Sequence, residues 1–265
     1  MVRFRWALVR ATALHGFGMD SPLHGQQQAF DLSTQETIAQ NLAAVRQDIA
    51  RACDRANRAA DAVRLVAVTK YAKWEWVQAL AALHQTFGES RPQQMAERQA
   101  LMPKAEWHLI GQLQRNKVRL AIQSPAMIHS VDSLKLLQRI ALIAGGFGIR
   151  PQILLQVNVS LEESKSGFTP DDLLESWADV IVCHEAVEIA GLMTMAPASD
   201  DPEDARPSFR ALSEFRDRLR SNDATQRDEL TLPELSMGMS SDFAVAIDEG
   251  STLVRIGRRL FNGLE

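Results

Sequence analysis

The chain has 265 residues, 46% hydrophobic and 23% charged, with a formal net charge of −4. That length fits one eight-fold barrel or two ordinary domains, the composition excludes wholesale disorder, and the slight acidity offers no field to attract a nucleic-acid backbone. Cys53 and Cys183 form no CxxC or Cys/His cluster, so neither a disulfide framework nor a structural zinc site is indicated, and a reducing cytoplasm fits.

Residues 1–32 are expected to be an unstructured extension. The first nineteen are basic, but Arg10 and His15 break the apolar run and no cleavage site follows, so a targeting signal is not read there. No stretch approaches the ~18 apolar residues of a membrane span. From Ser33 a helix is predicted, with Ser33 and Glu36 at capping-box spacing and Ile38, Leu42, Val45 and Ile49 on one face.

Short apolar runs then alternate with helical patterns. The predicted strands are 64–70, 86–90, 106–111, 127–132, 152–160, 187–195, 233–239 and 252–257. Near-continuous apolar strands, each followed by a helix, indicate a parallel sheet covered by helices, and eight such units without a long linker predict a single (β/α)8 barrel over residues 33–265. Residues 197–208, PASDDPEDARPS, are polar and proline-rich and read as a mobile loop after the sixth strand.

In such a barrel the working residues sit where strands run into the following loops. Lys70 ends the apolar run LVAVT, which would carry an amine to the barrel mouth, where partial desolvation favours attack on an aldehyde. After the seventh and eighth strands, Ser236, Gly238, Ser240 and Ser241 leave room for backbone N–H groups around an anion. The helix from about Asp242 adds its N-terminus, and Arg255 or Arg258 adds charge near Gly257. An amine facing a phosphate clamp suggests pyridoxal 5′-phosphate (PLP). His108 and the amides of WHLIGQLQRNK mark the third strand's end, and Asn158 with EESKSGF marks the fifth's; Lys165 reads as a surface residue.

Taken together, LVAVTK, FGES, WHLIGQLQRNK, IHSVDS, VNVSLEESKSGF, GLMTMAP and LSMGMSSDFAVAIDEGSTLVRIG make the chain resemble the YggS/PROSC family of PLP homeostasis proteins from about Ser33 to Phe261. The resemblance implies a barrel like the N-terminal domain of alanine racemase, with PLP as a Schiff base on Lys70 and phosphate at Ser236–Ser240 and Arg255–Gly257. The chain departs from the family pattern at Ser90, usually Asn; at Arg258, usually a small hydroxyl residue; and at Ala72, often a second Lys.

A PLP-dependent amino-acid racemase is the rival reading. It needs a second base, and the sole tyrosine, Tyr71, is adjacent to Lys70, so strand alternation would turn it to the other face, while only eight residues follow Gly257. The expectation is therefore a cytoplasmic, monomeric PLP carrier without efficient catalysis, passing its cargo to PLP-requiring apo-enzymes, with no nucleic-acid or membrane partner.

Overall fold

A computed structural model describes residues 32–123, 126–162, 164–223, 225 and 230–264. Eight strands form the inner wall: β1 (Arg64–Val68), β2 (Thr86–Glu89), β3 (Glu106–Leu109), β4 (Met127–Val131), β5 (Gln152–Gln156), β6 (Glu188–Met193), β7 (Glu234–Ser236) and β8 (Leu253–Ile256). Each pairs in parallel with its sequence neighbour, and β8 returns to β1 with Arg64 opposite Leu253 and Ala67 opposite Ile256. The barrel is closed, as the alternating pattern predicts, and no strand edge is left unpaired. All eight strands begin near the expected positions but stop short of the expected ends, at Val68 instead of Lys70 and at Gln156 instead of Ser160. The chain turns out of the sheet there to form the loops of the mouth.

The helices α1 (Leu32–Arg55), α2 (Trp74–Ala81), α3 (Pro92–Leu101), α4 (Val118–Ala121), α5 (Leu134–Phe147), α6 (Pro170–Glu175), α7 (Trp177–Cys183), α8 (Arg206–Arg220) and α9 (Phe243–Asp248) surround the barrel. Ser33 lies inside α1; of the extension expected at 1–32, Leu32 begins the helix and residues 1–31 lie outside the described residues. Among the described residues, the one element after β8 is a short 3-10 turn, Arg258–Phe261. Helix α1 covers the place an eighth outer helix would take: Asn41 Nδ2 donates to the Asn262 carbonyl at 2.9 Å, and Arg259 pairs with Asp48. Its predicted apolar face, Ile38, Leu42, Val45 and Ile49, is buried.

The segment expected as a mobile loop is largely helical. Pro202–Ala205 forms a 3-10 turn that runs into α8, and Arg206 anchors it to Glu203 at 2.6 Å, Glu249 at 2.7 Å and Asp248 at 3.3 Å. Pro202 and Pro207 stand in the first turns, where a missing N–H leaves no hydrogen bond unmade, so proline here starts helices instead of breaking them.

Two apolar layers hold the fold. The larger lies between helices and strands, and a small one fills the barrel axis with Val66, Met127, Leu154, Ala190, Met193 and Leu253. Near the mouth, the turn after β1 is fixed by a buried ion pair. Arg98 on α3 pairs with Glu89 at the end of β2 and donates to the carbonyls of Thr69 and Ala72, each at 2.9 Å, thereby gripping the turn on both sides of Lys70. Thr69 Oγ1 donates to Glu89 Oε1 at 2.6 Å. Burial pushes the Glu89 carboxyl above its ordinary range, against the hydrogen bonds from Thr69 and Arg98. Removing one partner of such a pair strands the other charge, so Arg98→Ala is expected to lower the unfolding free energy by about 3–5 kcal/mol in urea denaturation, with much of the loss recovered when Glu89 is also replaced by Leu.

Candidate functional site

At the C-terminal end of the strands the loops enclose a cavity of about 480 Å³. Lys70 comes to its wall from the turn after β1, two residues beyond the strand, and its side chain is exposed instead of desolvated. The adjoining wall is made by Ser240 and Ser241 after β7 and by Gly257 and Arg258 after β8, the strand paired with β1, with Arg255 of β8 below them. Gly257 allows the seam between β8 and β1 to close: a Cβ there would lie 3.1 Å from the Val68 carbonyl oxygen and 3.2 Å from Val68 Cβ. Gly111 has a similar role across the mouth, since a Cβ would fall 2.2 Å from the Ser90 carbonyl oxygen. Ser90 and Arg258, two positions where the chain departs from the pattern it resembles, both line this cavity.

Of the expected site residues, Lys70, Ser240, Arg255 and Gly257 line the cavity, whereas His108, Asn158, Ser236 and Gly238 stand behind it. Asn158 is a brace: its Nδ2 donates to the carbonyls of Glu162 at 2.9 Å and Lys165 at 3.3 Å, shaping the loop after β5. That loop brings Lys165 into the cavity wall, where it pairs with Glu162 at 2.8 Å, so the residue expected at the surface belongs to the site. The density of small and polar residues in EESKSGF was the available signal. Gly238 takes φ +92°, and a Cβ would come within 2.6 Å of Ala246 Cβ; its carbonyl receives the Arg255 backbone N–H at 3.0 Å, which holds the β7 loop against β8. Helix α9 has six residues, so any anion at this wall depends on the serines, the Gly257 backbone and the arginines more than on a helix dipole.

His108 is fully buried on the barrel axis, below the cavity. Its Nε2 lies 3.0 Å from Glu106 Oε1 and its Nδ1 lies 2.8 Å from Nε2 of His129, a second fully buried histidine. His129 Nδ1 lies 2.8 Å from Ser236 Oγ, which accepts from Arg255 Nη1 at 2.6 Å. Arg255 Nη2 donates to the Thr194 carbonyl at 3.0 Å. His108, expected to contact a cofactor, thus has both ring nitrogens engaged in the interior and is not among the cavity-lining residues. Burial lowers the Arg255 guanidinium to about 10, which leaves it charged at neutral pH, and its direct partners are uncharged oxygens. Tyr71 also needs correction. Strand alternation ends with β1 at Val68, so Lys70 and Tyr71 share a turn, and the Lys70 ammonium sits 5.0 Å from the Tyr71 ring centroid on the same side.

The cavity has the size of an ordinary small-ligand pocket, ~300–1,000 Å³, and no carboxylate of a described residue lines it. Lys70, Lys165, Arg255 and Arg258 make its wall cationic, so the residues present fit a compact, anionic aldehyde such as PLP. Among the described residues no cluster of His, Cys, Asp and Glu could hold a metal, and no helix is long and apolar enough to cross a membrane.

Comparison with known proteins agrees with this geometry. A family model described as the N-terminal domain of alanine racemase matches residues 40–264. The pyridoxal phosphate homeostasis protein of Aquifex aeolicus is 38% identical over 226 residues, covering 84% of this chain and 96% of its own length. PipY of Synechococcus elongatus, solved with PLP bound, shares 35% identity at a TM-score of 0.73, covering 85% of this chain and 100% of that one. A Clostridium difficile alanine racemase superposes with a TM-score of 0.64 at 15% identity; 85% of this chain aligns with 56% of the racemase, which shows a shared fold alone. With relatives of this identity along most of its length, the chain belongs to the pyridoxal phosphate homeostasis protein family, within the wider group that shares the alanine racemase N-terminal domain.

Proposed function

We propose that this chain binds PLP at the barrel mouth, as a Schiff base on Lys70, and takes part in intracellular PLP homeostasis as a carrier rather than as an efficient enzyme. One observation carries the reading: the Lys70 amine lies on the rim of a cavity that is also lined by small hydroxyl residues and two arginines. When bound, PLP supplies the aldehyde and an electron-withdrawing ring.

The residues of this chain divide the work by position. Lys70 is the nucleophile, held in place because Arg98 fixes the carbonyls on either side of its turn. Ser240, Ser241 and the Gly257 backbone offer donors to the phosphate, Arg258 adds charge at the rim, and Arg255 adds charge from the floor. Exposure of Lys70 suits a carrier, since an accessible amine lets cargo both load and leave. PLP-requiring apo-enzymes are the natural recipients, and the closed barrel works as a cytoplasmic monomer with no strand edge to cover.

The racemase alternative needs an acid on the face opposite the lysine. Tyr71 is 87% exposed and lies beside the Lys70 amine, on the wrong side for that role. A positioned general acid or base is worth ~10²- to 10⁴-fold in rate, and Tyr71 is not placed to supply that factor.

Lys70→Ala is expected to abolish the visible absorbance of the PLP imine while far-UV circular dichroism stays unchanged, because the side chain fills no core volume; a yellow variant would remove Lys70 from the site. Ser240→Ala should weaken PLP binding by about tenfold and pyridoxal binding far less, the loss corresponding to one hydrogen bond to a charged group; equal losses for both ligands would put the phosphate elsewhere. PLP-loaded protein incubated with alanine in deuterated buffer should give no efficient racemisation by chiral chromatography, and turnover near the ~10 s⁻¹ typical of enzymes would overturn the carrier reading.

A further inference from the structure

The polar column on the barrel axis is not used by any step above, and its two ends restrict it in an unusual way. It runs from Arg255 at the cavity floor through Ser236, His129 and His108 to Glu106, the first residue of β3, at the opposite end of the barrel. A guanidinium can only donate, and an ionised carboxylate can only accept. Glu106 is ionised: the hydrogen bond from His108 is the largest cause holding its carboxyl at about 2, below the ordinary carboxylate range. Burial keeps His129 neutral, and His108, Arg255 and Arg64 oppose a second proton on its ring.

For singly protonated rings, only one order of hydrogen bonds satisfies every contact. His108 Nε2–H donates to Glu106, so His108 Nδ1 accepts from His129 Nε2–H. His129 Nδ1 therefore accepts from the Ser236 hydroxyl, and Ser236 Oγ accepts from Arg255. Every bond points the same way, from the cation to the anion.

The geometry points to a one-directional relay in which Glu106 is the remote counter-charge of Arg255, and in which Glu106, His108, His129 and Ser236 are positioning residues that hold the Arg255 guanidinium beneath the ligand cavity. By the ~3.3 Å rise of a strand residue, Glu106 lies about 13 Å down β3 from Ile110 in the cavity wall, too far to touch a ligand there. Charged neighbours of Glu106 at the lower end include Arg64, 3.6 Å away, and Glu234, which pairs with Arg64 at 2.8 Å. They close the rim without entering the column. Arg255 meets only uncharged oxygens directly, while Asp242, after β7, is a further carboxylate whose charge acts on it beside the remote one of Glu106.

The order of protons can be read directly, without cofactor. Long-range ¹H–¹⁵N spectra of the full chain at neutral pH should show His108 and His129 both as Nε2–H tautomers with bare Nδ1. A doubly protonated ring, or an Nδ1–H tautomer at either position, would overturn the relay. Two substitutions then separate positioning from packing. Glu106→Leu, at the partly exposed far rim, removes the terminal acceptor and should release His108 into mixed tautomers. Ser236→Ala removes the link to Arg255; it should release His129 and raise the PLP dissociation constant about tenfold, the size of one hydrogen bond to a charged group. Unchanged ring spectra in both variants would end the proposal. The affinity arm rests on the PLP reading, and the spectra do not: a wild-type chain that takes up no PLP but shows the predicted tautomers would sink that reading and keep the relay, while a PLP-binding chain with other tautomers would do the reverse.

Discussion

Arg255 is a guanidinium 5% exposed in the interior of a barrel, with no carboxylate in contact. Taking such a charge out of water costs several kcal/mol unless hydrogen bonds and opposite charge offset it. Much of the surrounding architecture meets that demand. Ser236 and the Thr194 carbonyl take up two donor directions, and the column of histidines leads to Glu106 at the far end. The cavity above is lined by Lys70, Lys165, Arg255 and Arg258 and by no carboxylate of a described residue, a wall that suits an anionic ligand.

The same economy explains why the barrel interior differs from its exterior. Outside, the strands pack on helices through a continuous apolar layer. Inside, the axis is shared between a thin apolar layer, with Val66, Leu154 and Leu253 among its members, and the polar column. A polar column is tolerated there only because each member has a partner; a half-satisfied network would cost more than an apolar core. At the mouth, precision comes from backbone proximity. Gly111 and Gly257 let neighbouring loops approach to distances a Cβ would forbid, and Arg98 locks the turn carrying Lys70 from below.

Membership of the homeostasis family and the placement of Tyr71 are compatible physically. Lys70 is exposed at an open mouth. A two-base racemase requires a second proton donor across from its lysine, and the single tyrosine lies on the lysine's own side.

The sequence by itself determined the eight strands, their parallel order and the position of Lys70, because strands buried on both faces leave apolar runs that local pattern registers, and the end of a run marks the mouth. It also located Ser240, Arg255 and Gly257 on the cavity wall, since loops after the last two strands must lie there in a barrel of this kind. It misjudged residues whose role depends on direction. His108 and Tyr71 sit at legible positions, but which way each side chain points follows from where the strand ends and how the barrel closes. The helical start at Pro202 was hidden by composition, as proline and acidic residues suit a loop and a helix's first turn equally. The relay was wholly out of reach: His129 and Ser236 are separated by 107 positions in the chain. Only closure of the sheet turns them inward together, and only then does the partnering of a buried charge become a constraint that side chains on four strands must satisfy at once.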